Sequence, residues 1–329
     1  MNWTDRFTAG FYATTVDPIT WGDIDRFEIG DGSSISRVST SIRENAELKL
    51  DFVMKSEQLI RIYMDAVQGQ DAVHEPLFTG YATSPKYSLN GQLKEQNAPC
   101  YGVLKSVSDI KLPLGWYASK GRVATDIIKE LLLNLRTNIA EYPPKLSKYI
   151  VAENNETNLT MTDKILDAIG WVMQVDGNGV VQLKPKPVEP TLIVSPYNDI
   201  VEENVDIEQD IFYVPNVLRV LYNDNVEVAY DNDANSIYSI PRRGREIWEQ
   251  EEISELSEDT SLTLYAKRRL KELQNAGKQI KYARRFIPEL YVQDVIEFRY
   301  PNTEGIYRIT SQKLELSHNC RTSEEAETL

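Results

Sequence analysis

The sequence predicts an α+β protein, mainly β, in which two strand-rich runs, 1–108 and 200–318, flank a small α/β unit. Three observations carry this. Leu48, Leu50 and Phe52 alternate with Lys49 and Asp51, and Ile60, Ile62 and Met64 alternate with Arg61 and Tyr63, the two-residue period of a strand. Turn-forming stretches at residues 30–34 and at Asn90 and Gly91 have the spacing of short strands in a small barrel or sandwich. Stripes of helical period, over 123–135 and 262–273, interrupt the strands.

Taken in order, Leu77, Phe78, Thr79, Gly80 and Tyr81 make a short strand that Gly80 breaks, a place for a bulge or bend. Composition changes at residues 112–115. Val123, Ile127, Ile128, Leu131, Leu132 and Leu135 then form the wide apolar stripe of a helix. After Pro143 and Pro144, residues 160–163 resemble a capping box, with Asp163 where glutamate is usual. The helix this opens carries Ile165, Leu166 and Ile169 and ends at Gly170. Residues 171–183 read as a hairpin about Asp176, Gly177, Asn178 and Gly179. The proline-rich stretch 184–190 is an extended linker.

Strands return at 217–222 and 226–230, joined by Asn223, Asp224 and Asn225, with another at 236–240. Glu249, Glu251, Glu252, Glu255 and Glu258 precede a second helix, whose N-terminus favours negative charge by a few tenths of a kcal/mol per residue. That helix carries Leu262, Tyr265, Ala266, Leu270 and Leu273 and is closed by Gly277. Its apolar face is expected to pack on the α/β unit, against Ile127, Leu131 and Leu135. Strands over 279–286, 291–300 and 305–311 follow, punctuated by Pro288 and a turn at Pro301 and Asn302. The polar end of the chain is expected to fray.

Composition narrows the function. The chain has 329 residues, so two to four domains are expected, and 41% hydrophobic content supports real cores. A net charge of −14 argues against gripping nucleic-acid phosphates as the main task. Two cysteines, Cys100 and Cys320, are too few for a disulfide framework, and two histidines, His74 and His318, make a histidine-based triad or metal site improbable. No apolar run of membrane-spanning length and no apolar signal core is present, so the protein is expected in a cytoplasm or in a particle assembled there.

Several short motifs stand in a specific order. They are Leu77-Phe78-Thr79-Gly80-Tyr81, then Pro99-Cys100-Tyr101-Gly102-Val103-Leu104, then Arg243-Gly244-Arg245 with Tyr265-Ala266-Lys267-Arg268-Arg269-Leu270. Pro288-Glu289-Leu290-Tyr291-Val292-Gln293-Asp294-Val295-Ile296 and Gly305-Ile306-Tyr307-Arg308-Ile309-Thr310-Ser311 close the series. This order resembles the tail-hub, or baseplate hub, proteins of contractile phage tails and prophage-derived tail-like particles, over nearly the whole chain. One departure is Gln293, which stands where the family has a glycine.

The resemblance implies two tube-type β-barrel domains with an inserted small α/β domain. Residues 1–108 would be the first barrel, 109–199 plus 241–278 the α/β domain with its inserted helix, 200–240 plus 279–318 the second barrel, and 319–329 a flexible tail. It implies a structural, non-enzymatic role: a homotrimeric ring that adapts the six-fold tail tube to a three-fold central spike in the virion baseplate, assembled in the bacterial host cytoplasm. The implied partners are the tail tube, central spike, baseplate wedge and tape-measure proteins. DNA would pass through the pore without specific binding, and no catalytic residue, metal ligand or cofactor is assigned.

The residues themselves keep rivals in view. Asp231, Asn232, Asp233 and Asn235 resemble the start of a calcium loop, but Ser236 and Arg242 stand where glycine and a bidentate glutamate are needed, so a solvated turn is expected. Arg242, Arg243 and Arg245 form a basic knot without stacking aromatics between them; an acidic patch on a neighbouring subunit suits it better than nucleic acid. Lys267, Arg268, Arg269 and Lys271 read as a wet helix face. The alternative functions are a tail-associated cell-wall hydrolase and a carbohydrate-binding tail-tip protein. The hydrolase needs a carboxyl of raised pKa in an apolar pocket, and Glu289 and Asp294 are explained by strand alternation instead. It also needs a further domain, and the chain ends within about twenty residues of Ser311. The glycines about Asn178 sit in a hairpin too short to cradle phosphate.

Overall fold

The computed structural model describes all residues except 1–2, 4–6, 53, 55, 84–85, 91–92, 141, 196–200, 210, 224, 254–260, 276–277 and 301–302. The expected turn residues Gly91, Asp224, Pro301 and Asn302, the cap Gly277, and Glu255 and Glu258 therefore lie outside the described residues.

The first strand module contains β1 (Thr8–Val16), β2 (Asp23–Glu28), β3 (Ser34–Val38), β4 (Glu44–Leu50), β5 (Gln58–Gln68), β6 (Asp71–Ala82), β7 (Lys86–Asn90) and β8 (Leu93–Gly102). The alternation that marks β4 and β5 in the sequence puts Leu48, Leu50, Ile60, Ile62 and Met64 into one core. Gly80 does not end its strand. It sits where β8 joins β6 on the side opposite β5, paired with Ile60 of β5 and Gly102 of β8, and a Cβ there would stand 2.3 Å from the Tyr101 carbonyl oxygen.

The α/β unit follows, with α1 (Lys105–Ser108), β9 (Tyr117–Ala118), α2 (Ala124–Leu132), β10 (Thr137–Ile139), β11 (Ile150–Val151), α3 (Asn158–Ile169), β12 (Trp171–Val175) and β13 (Val181–Pro185). The α2 stripe and Leu159, Ile165 and Leu166 of α3 close one core with the β12–β13 hairpin. Helix α3 begins earlier than its expected capping box. Thr157 is the N-cap, and its hydroxyl accepts from the Thr160 N–H while Thr160 reciprocates. Asp163 is thereby freed from capping. Gly170 ends the helix with φ 67°, as its position implies.

Next come β14 (Leu192–Val194), β15 (Val201–Gln209), β16 (Val217–Tyr222), β17 (Asn225–Tyr230), α4 (Ile240–Arg243), β18 (Trp248–Ile253) and α5 (Leu262–Asn275). The chain closes with β19 (Lys278–Arg285), β20 (Val295–Phe298), β21 (Gly305–Glu315) and β22 (Arg321–Thr328). Strands β16, β17 and β18 form a separate sheet. Helix α5 lays Ala266 and Leu270 on Leu218, Val220 and Ala229 of that sheet, not on the α/β unit. The reason is local. The hairpin of β16 and β17 has a bare apolar face only a short connection away, while the α2 stripe is already covered by α3 and β12.

Three further expectations are corrected. Residues 236–240 form no strand. Their turn is fixed by Asp231, whose carboxylate accepts from the Ser236 hydroxyl at 2.5 Å and from Gln274 Nε2 at 3.0 Å. Glu249, Glu251 and Glu252 lie on strand β18 instead of leading a helix, and Glu251 accepts from Tyr265 and Arg269 of α5 at 2.9 Å each. The polar end is no frayed tail, for β22 is paired on both sides, with β19 and β21. Its alternation of Thr322, Glu324 and Ala326 faces inward, which polarity alone conceals.

Among the described residues the two strand modules do not close into two barrels. They join in one hydrogen-bonded ladder, in the order β15-β19-β22-β21-β3-β4-β8-β6-β5-β1-β2. Strand β21 is the splice. Its first half pairs with β20 and its second half, from Ser311 to Glu315, pairs with β3. An edge that would seal the second module is thus spent on the first. The cores follow suit, since Phe286, Leu314, Leu316 and Cys320 pack among first-module residues.

Candidate functional site

The place where both modules and the α/β unit meet holds a buried polar network. It is assembled from strand positions that face the core. On β3, Arg37 follows Ile35 on the inward face; on β4, Glu44 precedes Ala46 and Leu48; on β21, Gln312 precedes Leu314. Arg37 donates from Nε to Glu44 at 2.9 Å, from Nη1 to Gln312 Oε1 at 2.9 Å, and from Nη2 to the Leu77 carbonyl at 2.6 Å. Gln312 passes the chain on, donating to Glu324 at 2.7 Å and to the Leu290 carbonyl at 3.1 Å. Arg284 then grips Glu324 with two bonds, at 2.8 and 2.5 Å.

Both members of that last pair are fully buried. Burial works against the Arg284 charge, but the Glu324 carboxylate outweighs it, and the guanidinium stays above its ordinary pKa. Glu44 is different. Burial pushes its carboxyl up to about 7 despite Arg37, and its Oε2 has no hydrogen-bond partner among the described residues. Beside it lies a cavity of about 20 Å³, bordered by Arg37, Glu44, Gln174 and Tyr291, room for about one water.

The α/β unit reaches this seam with its hairpin. Gln174 Nε2 donates to the Val292 carbonyl at 2.6 Å and to Asp294 at 3.1 Å, and Lys184 donates to Asp294 at 3.1 Å. On the other flank, Arg43 donates to the Met173 carbonyl at 3.2 Å and pairs with Asp163. The hairpin tip rests on β6. The Thr79 hydroxyl donates to the Gly177 carbonyl at 2.7 Å, and a Cβ on Gly177 would stand 1.7 Å from the Pro76 carbonyl oxygen. Only glycine fits there. Arg136 lies over the Trp21 ring, 4.4 Å from its centre.

The expected motifs fall differently. Asp294, assigned to strand alternation, is a buried anchor, and Gln293 before it holds φ 77°. It adopts the left-handed backbone that the glycine of the resembled motif would have taken without strain. Arg243 and Arg245 do not reach outward, since they donate to the backbone carbonyls of residues 212 and 214 within their own unit. Arg269 pairs with Glu251, so the α5 basic face is partly occupied. The seam residues Arg37, Glu44, Arg284, Gln312 and Glu324 were not singled out by sequence. Their signal is a charged or amide side chain continuing an apolar stripe at period two.

This arrangement fixes three units in one relation. Burial raises the carboxyl pKa at Glu44, Glu75 and Asp163; Glu44 is sealed among packed strands, and Asp163 is held in its ion pair with Arg43.

No family model matches the chain, and no curated protein matches its sequence. Solved structures do match its fold. A 43 kDa tail protein of prophage MuSo2 from Shewanella oneidensis superposes with a TM-score of 0.70 at 11% identity, covering 98% of each chain. A tail protein from Neisseria meningitidis MC58 gives 0.68 at 12% identity, covering 98% of this chain and 96% of that one. An Escherichia coli type VI secretion component, itself described as structurally similar to the bacteriophage T4 tail proteins gp27 and gp5, gives 0.51 at 9% identity over 99% and 75%. The chain therefore has the fold of phage-tail proteins, along its whole described length.

Proposed function

We propose that this chain is a non-enzymatic structural hub of a contractile phage tail or tail-like particle. Three copies form a ring that adapts the six-fold tail tube to the three-fold central spike. The observation that carries this reading is the single ladder in which two strand modules lie edge to edge, locked by the Arg37–Glu324 seam. Three chains then present six modules, the number a six-fold tube requires, and the locked seam keeps each pair in fixed register. The whole-chain fold likeness to prophage tail proteins supports it.

In this reading the ring sits in the virion baseplate, is assembled in the bacterial host cytoplasm, and meets tube, spike, wedge and tape-measure proteins. DNA crosses the pore without specific binding. Light scattering of the purified protein, with negative-stain images, tests it: a mass of three chains and a ring with a central hole are expected. A monomer at every concentration, or a zymogram that clears cell wall and fails on loss of one carboxylate, would overturn it.

A further inference from the structure

Two exposed apolar patches of opposite charge lie on the two peripheral units. The first is the ribbon of β9 and β11, where Val151 pairs with Tyr117. Leu114, Tyr117, Tyr149 and Val151 are all more than half exposed, and the two tyrosine rings lie 6.0 Å apart. Segments 110–122 and 142–151 hold five cations and no acid, in a chain whose net charge is −14. Arg122 is engaged by Glu130 and Lys111 by Asn155. Lys120 and Lys145 are exposed, with no ion partner among the described residues.

The second patch is the face of the β16–β18 sheet that α5 leaves open. Register places Tyr230, Val217 and Trp248 in one row across it, and Val226, Leu221 and Glu252 in another. Tyr230 and Trp248 meet edge to face, 6.1 Å apart, and both are close to half exposed. Glu252 and Glu246 are exposed at this patch, Glu246 accepting from the Trp248 ring N–H. The cation within the face, Arg219, sits over the Trp248 ring at 5.0 Å. Exposed aromatic patches with charged rims have the composition of protein interfaces.

We infer that neighbouring copies dock head to tail, the β9–β11 ribbon of one copy seating on the open β16–β18 face of the next. The inference rests on the ring reading above and names the surfaces it would use. Lys120 and Lys145 then face Glu246 and Glu252, while Tyr149 and Val151 meet Trp248 and Tyr230. Two different patches on one chain make a heterologous contact, the kind that closes into a ring when the rotation between copies permits. Complementary charge sets the register and rejects ribbon-to-ribbon contact.

Copies grown in ordinary and in ¹⁵N medium are mixed and treated with a carbodiimide. The reagent joins a lysine amine to a carboxylate as an amide, and itself takes up the lost water to become a urea. Mixed-isotope peptides linking Lys120 or Lys145 to Glu246 or Glu252 are expected. The double variant K120E/K145E should weaken association about tenfold or more in sedimentation, and E246K/E252K in the same chain should restore it. A trimer whose links fall elsewhere, or whose affinity ignores K120E/K145E, overturns this inference and leaves the hub reading standing. Monomers without mixed links sink both, and a ribbon that couples only to an added acidic protein assigns it to another partner.

Discussion

The α/β unit and the β16–β18 sheet with α5 are both small, and both interrupt the strand ladder, yet they are attached in opposite ways. The α/β unit has a core of its own and is also tied to both modules by Gln174, Lys184, Arg43 and the Gly177 tip. The other unit is held chiefly by contacts within it. Its few core residues come from β16, β17 and α5, and its polar groups, such as Gln274 with Asp231 and Arg243 with the Val214 carbonyl, are satisfied internally. The difference teaches that insertion in sequence does not decide integration. What decides it is whether side chains of the insert complete buried polar groups in the host, because such groups are costly to leave unpaired.

The largest effect is expected where the ladder itself is locked. Arg284→Met leaves the Glu324 carboxylate buried without its cation and should cost about 3–5 kcal/mol, read as a fall in the urea midpoint. Pairing it with Glu324→Met should return much of that loss, because a buried pair adds little over an apolar pair of like volume. A double variant as unstable as the single one would contradict this account of the seam.

Next in size is Leu270→Ala, about 2–5 kcal/mol for a buried leucine. Hydrogen exchange should quicken within 217–230 and 248–275 and leave 121–183 protected. Faster exchange spreading into the α/β unit would erase the contrast between the two insertions. Gly177→Ala probes the other side of the comparison, at about 1–3 kcal/mol for a forced overlap. It should loosen residues 171–185 and the facing part of β6 while α5 and its sheet exchange as before.

The smallest effect concerns pH. Glu44 has a higher pKa folded, about 7, than its ordinary 4.5, so the folded state holds the proton more tightly. Its contribution to stability is fully present below about 4.5 and is lost as pH rises through about 7. Glu44→Gln should flatten that part of the stability profile. An unchanged slope would assign the titration to another group.

Much of the architecture is legible in the sequence. Period two at Leu48–Leu50 and Ile60–Met64, the α2 stripe, the Gly170 stop and the hairpin about Gly177 all form where expected, since each depends on neighbours within a few residues. The motif order also pointed to the fold that the solved tail proteins share. What stayed hidden was the seam. Ile280, Tyr282, Arg284 and Phe286 are one inward stripe, as are Glu324 and Ala326, and a charge on such a stripe looks like an error until its partner on another strand is known. The same blindness made β22 look like a frayed tail.

The sequence by itself determined the helices α2, α3 and α5, strands such as β4, β5, β16 and β17, and their apolar faces, because those follow from residue spacing along one element. Tertiary structure alone decided that β21 splices two modules instead of sealing one, that α5 belongs to its own small sheet, and that Gln293 carries the strain of a missing glycine. These outcomes depend on competition between surfaces far apart in the chain. Whichever apolar face is still uncovered, and whichever buried charge still lacks a partner, takes the nearest group that satisfies it.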